Sequence, residues 1–343
     1  MQLKHRVHFV SPQKEIWSEL RGEGVAEIEG ERLSELSGGI LHSWVLRTYY
    51  QLKLAGARVT LSSHLCNDAI NIVSVRDFGR RQYRSDCYLL VPQGDAHQSM
   101  LADFRVHQNG LTEGREGNAT IWHWPQPDII PRSEARKNNV ETLCYKGRLT
   151  NLHETFRDDD FKQALSRAGV SFSIDALNTL RGAHSWNNYE QYDAVLAVRN
   201  MTEYDARKKP ASKLINAWFA DCPAILGPEP AYQELRQNEH DYLEVHSPNE
   251  ALDAVEFLKS NPEFYAAMIK NGRVRRRAFS NEKLTEMWIN VLNGPVAEHF
   301  EAWNKQSRWR HKGQVWVKFL KEPISKKKDK RLLQSGARLL DTK

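Results

Sequence analysis

The sequence predicts an α/β protein of two parallel-sheet domains in tandem with a basic amphipathic C-terminal tail. Its 343 residues suit two domains better than one. Short apolar runs typical of buried strands alternate with segments that have helical periodicity. This alternation stops at a proline-rich segment, residues 124–131, and then starts again. Because prolines remove hydrogen-bond donors and fix φ, that segment is expected to be a stiff boundary.

The composition excludes several classes of protein. Hydrophobic residues make up 40% of the chain and charged residues 27%, which is enough apolar surface for packed cores. No run approaches the roughly 18–20 apolar residues of a membrane-spanning helix, and the N-terminus leads into a strand instead of a signal peptide. A soluble cytoplasmic protein is expected. Four well-separated cysteines without a Cys-x-x-Cys pair predict neither a zinc site nor a disulfide framework: Cys66, Cys87, Cys144 and Cys222.

The first domain is predicted over residues 1–135. It begins with a strand at 7–10, followed by an amphipathic helix at 40–54. Gly56, just after this helix, stops it. Further short strands are predicted at 58–61, 69–75, 87–91, 104–108 and 120–124.

The second domain is predicted over residues 136–293. Its predicted strands are 140–145, 170–174, 194–198 and 224–226, and its predicted helices are 161–168, 212–219, 231–237, 250–277 and 281–292. Two such Rossmann-like domains place the chemistry in the cleft between them, at the carboxyl ends of both sheets.

Two segments of the second domain are candidates for binding phosphate. Gly147 and Arg148 follow its first strand, where glycine permits close approach and the guanidinium suits a diphosphate. Ser212 or Pro210 can begin a helix whose N-terminus attracts anions, and Lys209 and Lys213 add charge on the same turn. The alternatives are an ordinary strand-ending turn and a solvated basic helix start.

The second segment also carries a family motif. Residues 209–225 read Lys-Pro-x-x-Lys-Leu-x-Asn-Ala-Trp-x-Ala-x-x-Pro-x-Ile, and residues 145–152 read Tyr-x-Gly-Arg-x-x-Asn-Leu. Together they resemble the nucleotide-binding half of GT-B-fold glycosyltransferases, of the type that builds bacterial surface glycans or lipid-linked sugars. The resemblance implies that the donor diphosphate and ribose are held by Gly147, Arg148, Arg199, Ser212, Lys213 and Asn216.

The sequence departs from this family at one motif. Many retaining members have Glu-x7-Glu here, whereas this chain has Lys208 and Asn216 at the corresponding positions. The departure leaves the donor sugar and the anomeric outcome open.

By the same resemblance, the N-terminal domain holds the acceptor and a catalytic base. His64, Asp95 and His97 follow predicted strands, and each can accept a proton from an acceptor hydroxyl. For each, a structural role is the alternative, as is front-face attack without a base. Candidates for binding the acceptor are Gly38, Gly39, Gln108 and Asn109.

Three consecutive acids, residues 158–160, contain an Asp-x-Asp pattern that in another glycosyltransferase fold holds a metal. Here they precede a predicted helix, where acids cap N–H groups and complement the helix dipole. No metal is therefore expected. No cofactor is expected either, because the nucleotide-diphosphate sugar is a substrate.

The tail, residues 294–343, concentrates positive charge. From Arg308 onward it has twelve Lys or Arg and three acids, whereas the rest of the chain is mildly acidic. Its aromatic and basic residues match a helix lying on anionic lipid. The predicted membrane residues are Trp309, Trp316, Phe319, Lys326, Lys327 and Lys328. Nucleic-acid binding through the tail and local packing are the alternatives.

The function expected from these observations is metal-independent transfer of a sugar from a nucleotide-diphosphate donor to a hydroxyl acceptor. The acceptor would be a lipid-linked or surface glycan, and the protein would be peripheral on the inner face of the plasma membrane. The alternative is a non-catalytic scaffold of the same fold, or a nucleic-acid-binding protein acting through its tail.

Overall fold

The computed structural model describes residues 2–11, 20, 28, 33, 39–112, 114–176 and 186–340. Its strands are β1 (Val7–Val10), β2 (Val59–Ser62), β3 (Ile70–Val73), β4 (Tyr88–Pro92), β5 (Phe104–His107), β6 (Asn118–Thr120), β7 (Thr142–Gly147), β8 (Ser171–Ala176), β9 (Ala194–Ala197), β10 (Ala224–Leu226) and β11 (Leu243–Glu244). Its α-helices are α1 (Arg47–Leu54), α2 (Asp159–Arg167), α3 (Glu203–Ala206), α4 (Ser212–Phe219), α5 (Pro230–Leu235), α6 (Pro248–Ser260), α7 (Pro262–Arg275), α8 (Asn281–Asn293), α9 (Pro295–Asn304) and α10 (Arg308–Ser335).

The chain divides into two units. The first comprises Met1–Trp124, Lys208–Pro210 and Asn281–Gln334, and the second comprises Pro125–Arg207, Ala211–Ser280 and Ser335–Lys343. The division at residue 125 falls inside the proline-rich segment. The predicted boundaries, 1–135, 136–293 and 294–343, differ from it because α8, α9 and most of α10 pack with the first unit.

Among its described residues, the first unit has six parallel strands in the order β2-β1-β3-β4-β5-β6. Val7 of β1 pairs with Val59 on one side and with Ile70 on the other. The strands β1, β3 and β4 are buried along their whole length, as expected of a parallel sheet covered on both faces.

Aromatic packing joins the late helices to the first unit. Trp288 of α8 lies edge-on to Trp44, with ring centroids 6.3 Å apart, and Phe300 of α9 contacts Tyr88 of β4 at 5.1 Å. Trp44 lies on a π-helical turn, Leu41–Leu46, that continues directly into α1. These rings are part of one buried core.

In the part of the second unit that the structure describes, five strands form a parallel sheet in the order β11-β10-β9-β7-β8. Two parallel-sheet α/β units confirm the predicted fold class. The predicted helix 212–219 and strand 224–226 are observed with the same bounds as α4 and β10.

Other predicted elements differ from the structure. The strand expected at 120–124 is β6, which ends at Thr120 because its partner β5 ends at His107, the residue paired with Thr120. In the tail, residues Arg308–Ser335 form a single helix, α10, which contains Pro323. Within the described ranges, no helix is both long and apolar enough to cross a membrane.

Candidate functional site

The carboxyl ends of the strands in the second unit form one edge of its sheet, and charged residues follow them there. β7 ends at Gly147 and is followed by Arg148, Arg199 lies two residues beyond β9, and Glu229 lies three residues beyond β10. The N-terminus of α4, with Lys213, contributes to the same cluster. We refer to Gly147, Arg148, Arg199, Lys213 and Glu229 as the donor cluster.

Arg199 and Glu229 form a buried two-point ion pair in the donor cluster. Nε of Arg199 donates to Oε1 of Glu229 at 2.6 Å, and Nη2 contacts Oε2. Burial alone would lower the pKa of Arg199, but the carboxylate of Glu229 outweighs it and holds that pKa above the usual value. Arg199, expected to bind the donor, therefore has a carboxylate partner within the chain.

Lys213 projects from the first turn of α4 towards the end of β7. Its Nζ donates to the carbonyl oxygen of Lys146 and lies 4.9 Å from the centroid of the Tyr145 ring. Burial, together with repulsion from Arg199, lowers the pKa of Lys213 to about 7. At neutral pH this amine is therefore divided between its charged and neutral forms.

Gly147 leaves the space that this amine occupies. A Cβ atom at this position would lie 3.0 Å from Nζ of Lys213 and 2.8 Å from the hydroxyl oxygen of Tyr145. Any other residue would push both groups aside, so glycine here follows from close packing.

The other three predicted donor residues have distinct surroundings. Arg148 is exposed, and its carbonyl oxygen accepts a hydrogen bond from the Tyr145 hydroxyl. Ser212 is the first residue of α4, with Ala211 at the N-cap position and no side-chain cap. Oδ1 of Asn216 accepts from the main-chain N–H of Gln126 at 2.9 Å.

Lys209 belongs to the first unit, whereas Lys213, with which the sequence grouped it, belongs to the second. Its Nζ pairs with Oδ2 of Asp95 at 3.1 Å. The side chains of Gln108 and Asn109 donate to the carbonyl oxygens of Lys208 and Lys209. These two amides, predicted to bind the acceptor, hold the segment that carries Lys209.

Asp95 is an anion between two cations. Besides Lys209, Nη2 of Arg76 contacts Oδ1 of Asp95 at 3.0 Å. Burial raises the pKa of Asp95, but Lys209 and Arg76 lower it more, so it lies below its usual value. A carboxylate held in this way is a weak proton acceptor near neutral pH.

His97 has the geometry of an oriented histidine. Its Nε2 lies 2.8 Å from Oε1 of Glu322, and Oε2 of Glu322 accepts from the N–H of Met100 at 2.6 Å. Burial raises the pKa of Glu322, but the hydrogen bonds from His97 and Met100 lower it below its usual value. When Nε2–H donates to this carboxylate, Nδ1 of a neutral ring is the proton acceptor.

The remaining candidates of the first unit lie elsewhere in that unit. His64 follows the edge strand β2, is exposed, and has Nδ1 2.9 Å from the Ser63 hydroxyl. Gly39 has a positive φ of 80° at the start of the π-helical turn. Gly38 lies outside the described residues.

Sequence reasoning missed Gln93 and Glu229. Gln93 follows β4 and is 4% exposed; its Nε2 donates to Ala96, whereas its Oε1 has no partner among the described residues. The available signal was a polar residue at the end of a fully apolar strand. Glu229 carried no such signal, since its partner Arg199 follows a different strand, β9.

The acids at 158–160 begin α2, as predicted. Asp158 is the N-cap residue, without a side-chain capping bond, and the next two acids lie in the first turn. In the part of the chain that the structure describes, no group of three or more His, Cys, Asp or Glu side chains is arranged to hold a metal.

Comparison with known proteins finds one matching family and several solved structures of similar fold. A family model described as glycosyl transferase-like matches residues 150–288, which include most of the donor cluster. Over residues 150–288 the chain is similar to this glycosyl transferase-like family. The suspected resemblance is therefore confirmed for that region.

The fold of this chain is shared with solved structures. Sucrose-phosphate synthase from Thermosynechococcus elongatus aligns over 87% of this chain and all of its own, with a TM-score of 0.53 and 11% identity. This match shows the GT-B fold. HepE from Anabaena, solved with UDP-glucose, aligns over 84% of this chain and 99% of its own at 10% identity, with a TM-score of 0.47.

The bacterial enzyme TarM aligns over 73% of this chain at 12% identity, with a TM-score of 0.47. The match spans 58% of the TarM chain, and a further match spans 60% of the GtfA/B chain. No curated protein matches the sequence.

Proposed function

We propose that this protein transfers a sugar from a nucleotide-diphosphate sugar to a hydroxyl acceptor. The observation that carries the proposal is the donor cluster, which lies at the carboxyl edge of a parallel sheet and mostly within the family-matched region. Ligands bind at this edge in open α/β sheets. The cluster supplies cations and helix N–H groups, which suit a diphosphate.

In the proposed reaction, the bond between the sugar's anomeric carbon and the diphosphate oxygen breaks, and the leaving diphosphate keeps the electron pair. Lys213, Arg148 and the N-terminus of α4 offset the charge that develops on that oxygen. Each charged hydrogen bond contributes about 1.5–3 kcal/mol. The buried Arg199–Glu229 pair orients the cluster and adds no net charge.

The acceptor hydroxyl attacks the anomeric carbon and loses its proton. Among the three candidate bases, we propose His97, because Glu322 orients its ring and leaves Nδ1 to accept the proton. Asp95 instead holds Lys209 and Arg76. The donor cations replace a divalent metal in this scheme, so transfer is proposed to be metal-independent.

The acceptor is proposed to be a lipid-linked or growing surface glycan, met at the inner face of the plasma membrane. The support is the charge of the chain from Arg308 onward, where twelve Lys or Arg outnumber three acids. Positive charge concentrated in one segment favours an anionic surface.

The experiment is to incubate the protein with a panel of nucleotide-diphosphate sugars and measure nucleoside diphosphate release. We expect release from at least one donor, with a large loss in Lys213→Ala. The matched control is Arg167→Ala, an exposed cation at the end of α2 in the same unit. Donor binding without release, in the presence of glycan acceptors, would instead indicate a non-catalytic scaffold.

A further inference from the structure

The two faces of α10 differ sharply. One face is held against the first unit: Glu322 accepts from Met100 and contacts His97, Ser325 donates to the carbonyl of Gln98, and Asp329 pairs with Lys208 at 2.9 Å. The spacing of these three residues of α10, three and four apart, places them on one side of the helix.

The opposite face presents large apolar side chains to solvent. Trp309 is 82% exposed, Trp316 75%, Leu320 68% and Ile324 65%, and they are joined by Val317. These five are half of the large apolar side chains that are exposed among the described residues. We call Trp309, Trp316, Val317, Leu320 and Ile324 the outer stripe.

Phe319 does not belong to the outer stripe, although the sequence grouped it with the tryptophans. Its ring lies edge-on to Tyr83, with centroids 5.4 Å apart, and the guanidinium of Arg80 lies over it at 5.4 Å. It contributes to docking α10 on the first unit.

Charge on α10 is segregated in the same way. Its two acids, Glu322 and Asp329, are buried and paired. Its exposed charges are all positive, and Nζ of Lys312 lies 5.3 Å from the Trp309 ring. The other exposed cations of the helix are Arg308, Arg310, Lys321, Lys326, Lys327, Lys328, Lys330 and Arg331.

We infer that α10 is a membrane-docking helix, whose outer stripe inserts into an anionic lipid surface while the flanking lysines and arginines contact the headgroups. Tryptophan and aliphatic side chains on one helix face, bordered by Lys and Arg, match an interfacial helix. Because Glu322 and Asp329 are buried on the other side of α10, their carboxylates do not repel anionic headgroups from the outer stripe. This inference deepens the proposed membrane-side acceptor by naming the surface, but vesicle binding does not depend on sugar transfer.

The test is co-sedimentation of the full chain with vesicles of phosphatidylcholine alone, or of equal parts phosphatidylcholine and phosphatidylglycerol. We expect binding to the anionic vesicles only. The double variant Trp316→Ser/Leu320→Ser should weaken it about tenfold or more, because the inserted apolar surface is lost. The matched control is Val274→Ser, another exposed apolar position, which should bind like the parent.

A second test changes the charge of α10 and leaves the outer stripe intact. Lys327→Glu/Lys328→Glu should abolish binding to anionic vesicles, whereas Arg167→Glu should not. Unchanged thermal unfolding in all variants shows that they fold. The inference would be overturned if the parent and Trp316→Ser/Leu320→Ser bound vesicles equally. It would also be overturned if the parent bound oligonucleotides and not vesicles. Nucleoside diphosphate release with a soluble acceptor, measured on the same variants, should be unchanged. The membrane inference can therefore fail while sugar transfer is retained, and the two proposals are tested separately.

Discussion

His97 and Glu322 are joined by a 2.8 Å contact between Nε2 and Oε1, although 225 residues separate them in the chain. The contact ties the loop after β4 to the middle of α10. It links the histidine that we propose as the base to the helix that we propose as the membrane contact. We therefore expect this pair to contribute both to the stability of the folded protein and to the rate of sugar transfer.

Replacing Glu322 with alanine is predicted to reduce the free energy of unfolding by about 1.5–3 kcal/mol, because charged hydrogen bonds to His97 and Met100 are lost. Since folding lowers the pKa of Glu322, its contribution is present above its unfolded pKa and declines as the pH falls through its folded pKa. Urea unfolding at neutral and acid pH measures this. A parent and variant that differ as much in acid as at neutral pH would contradict it. Lys330→Ala, which removes an exposed cation of the same helix, is the control.

The Arg199–Glu229 pair predicts strong coupling. Glu229→Leu alone should cost about 3–5 kcal/mol of stability, because it leaves a buried cation unpaired. The double variant Arg199→Met/Glu229→Leu should be more stable than either single variant. Urea denaturation of the three variants tests this by a double-mutant cycle. Additive losses would show that the two side chains do not depend on each other.

Donor binding is predicted to weaken as the pH rises above about 7. The free protein has a Lys213 pKa of about 7, and a bound diphosphate raises it by stabilising the ammonium. Below that pH the amine is already charged, so affinity stays level; above it, binding takes up a proton and weakens by up to about tenfold per pH unit. Calorimetric titration in buffers of different ionisation enthalpy measures the proton uptake. Lys213→Met should show neither proton uptake nor this pH dependence. If the parent protein also lacked both, Lys213 would not be the group that binds the diphosphate.

Transfer activity is predicted to survive EDTA, because lysine, arginine and helix N–H groups offset the diphosphate charge. Nucleoside diphosphate release is measured before and after chelation. Loss of release that manganese or magnesium restores would contradict the metal-independent scheme and make Asp158 and Asp160 candidate ligands.

Local patterns in the sequence predicted the elements of the donor cluster well. The bounds of α4 and β10 follow from helical apolar spacing and from a buried apolar run, which depend only on neighbouring residues. Gly147 and Arg148 were placed by the end of a strand. Partners that are distant in sequence could not be predicted this way.

Lys209 illustrates that limit. The sequence grouped it with Lys213, four residues later, but its ion pair is with Asp95, 114 residues away. Glu229 was missed for the same reason. Pro323 shows another limit: a proline costs about 3 kcal/mol inside a helix, yet α10 continues through it, and the flanking Glu322 and Ser325 are both held by the first unit.

The central claim is that Lys213 belongs to a diphosphate-binding site, and calorimetric titration of nucleoside diphosphates at about pH 6.5, below the pKa of that amine, tests it most directly. The account predicts that Lys213→Ala binds the preferred nucleotide about 10–100-fold more weakly than the parent, as the loss of one charged hydrogen bond implies. Arg167→Ala should bind like the parent. Equal affinity in the parent and Lys213→Ala, both with unchanged thermal unfolding, would contradict the account.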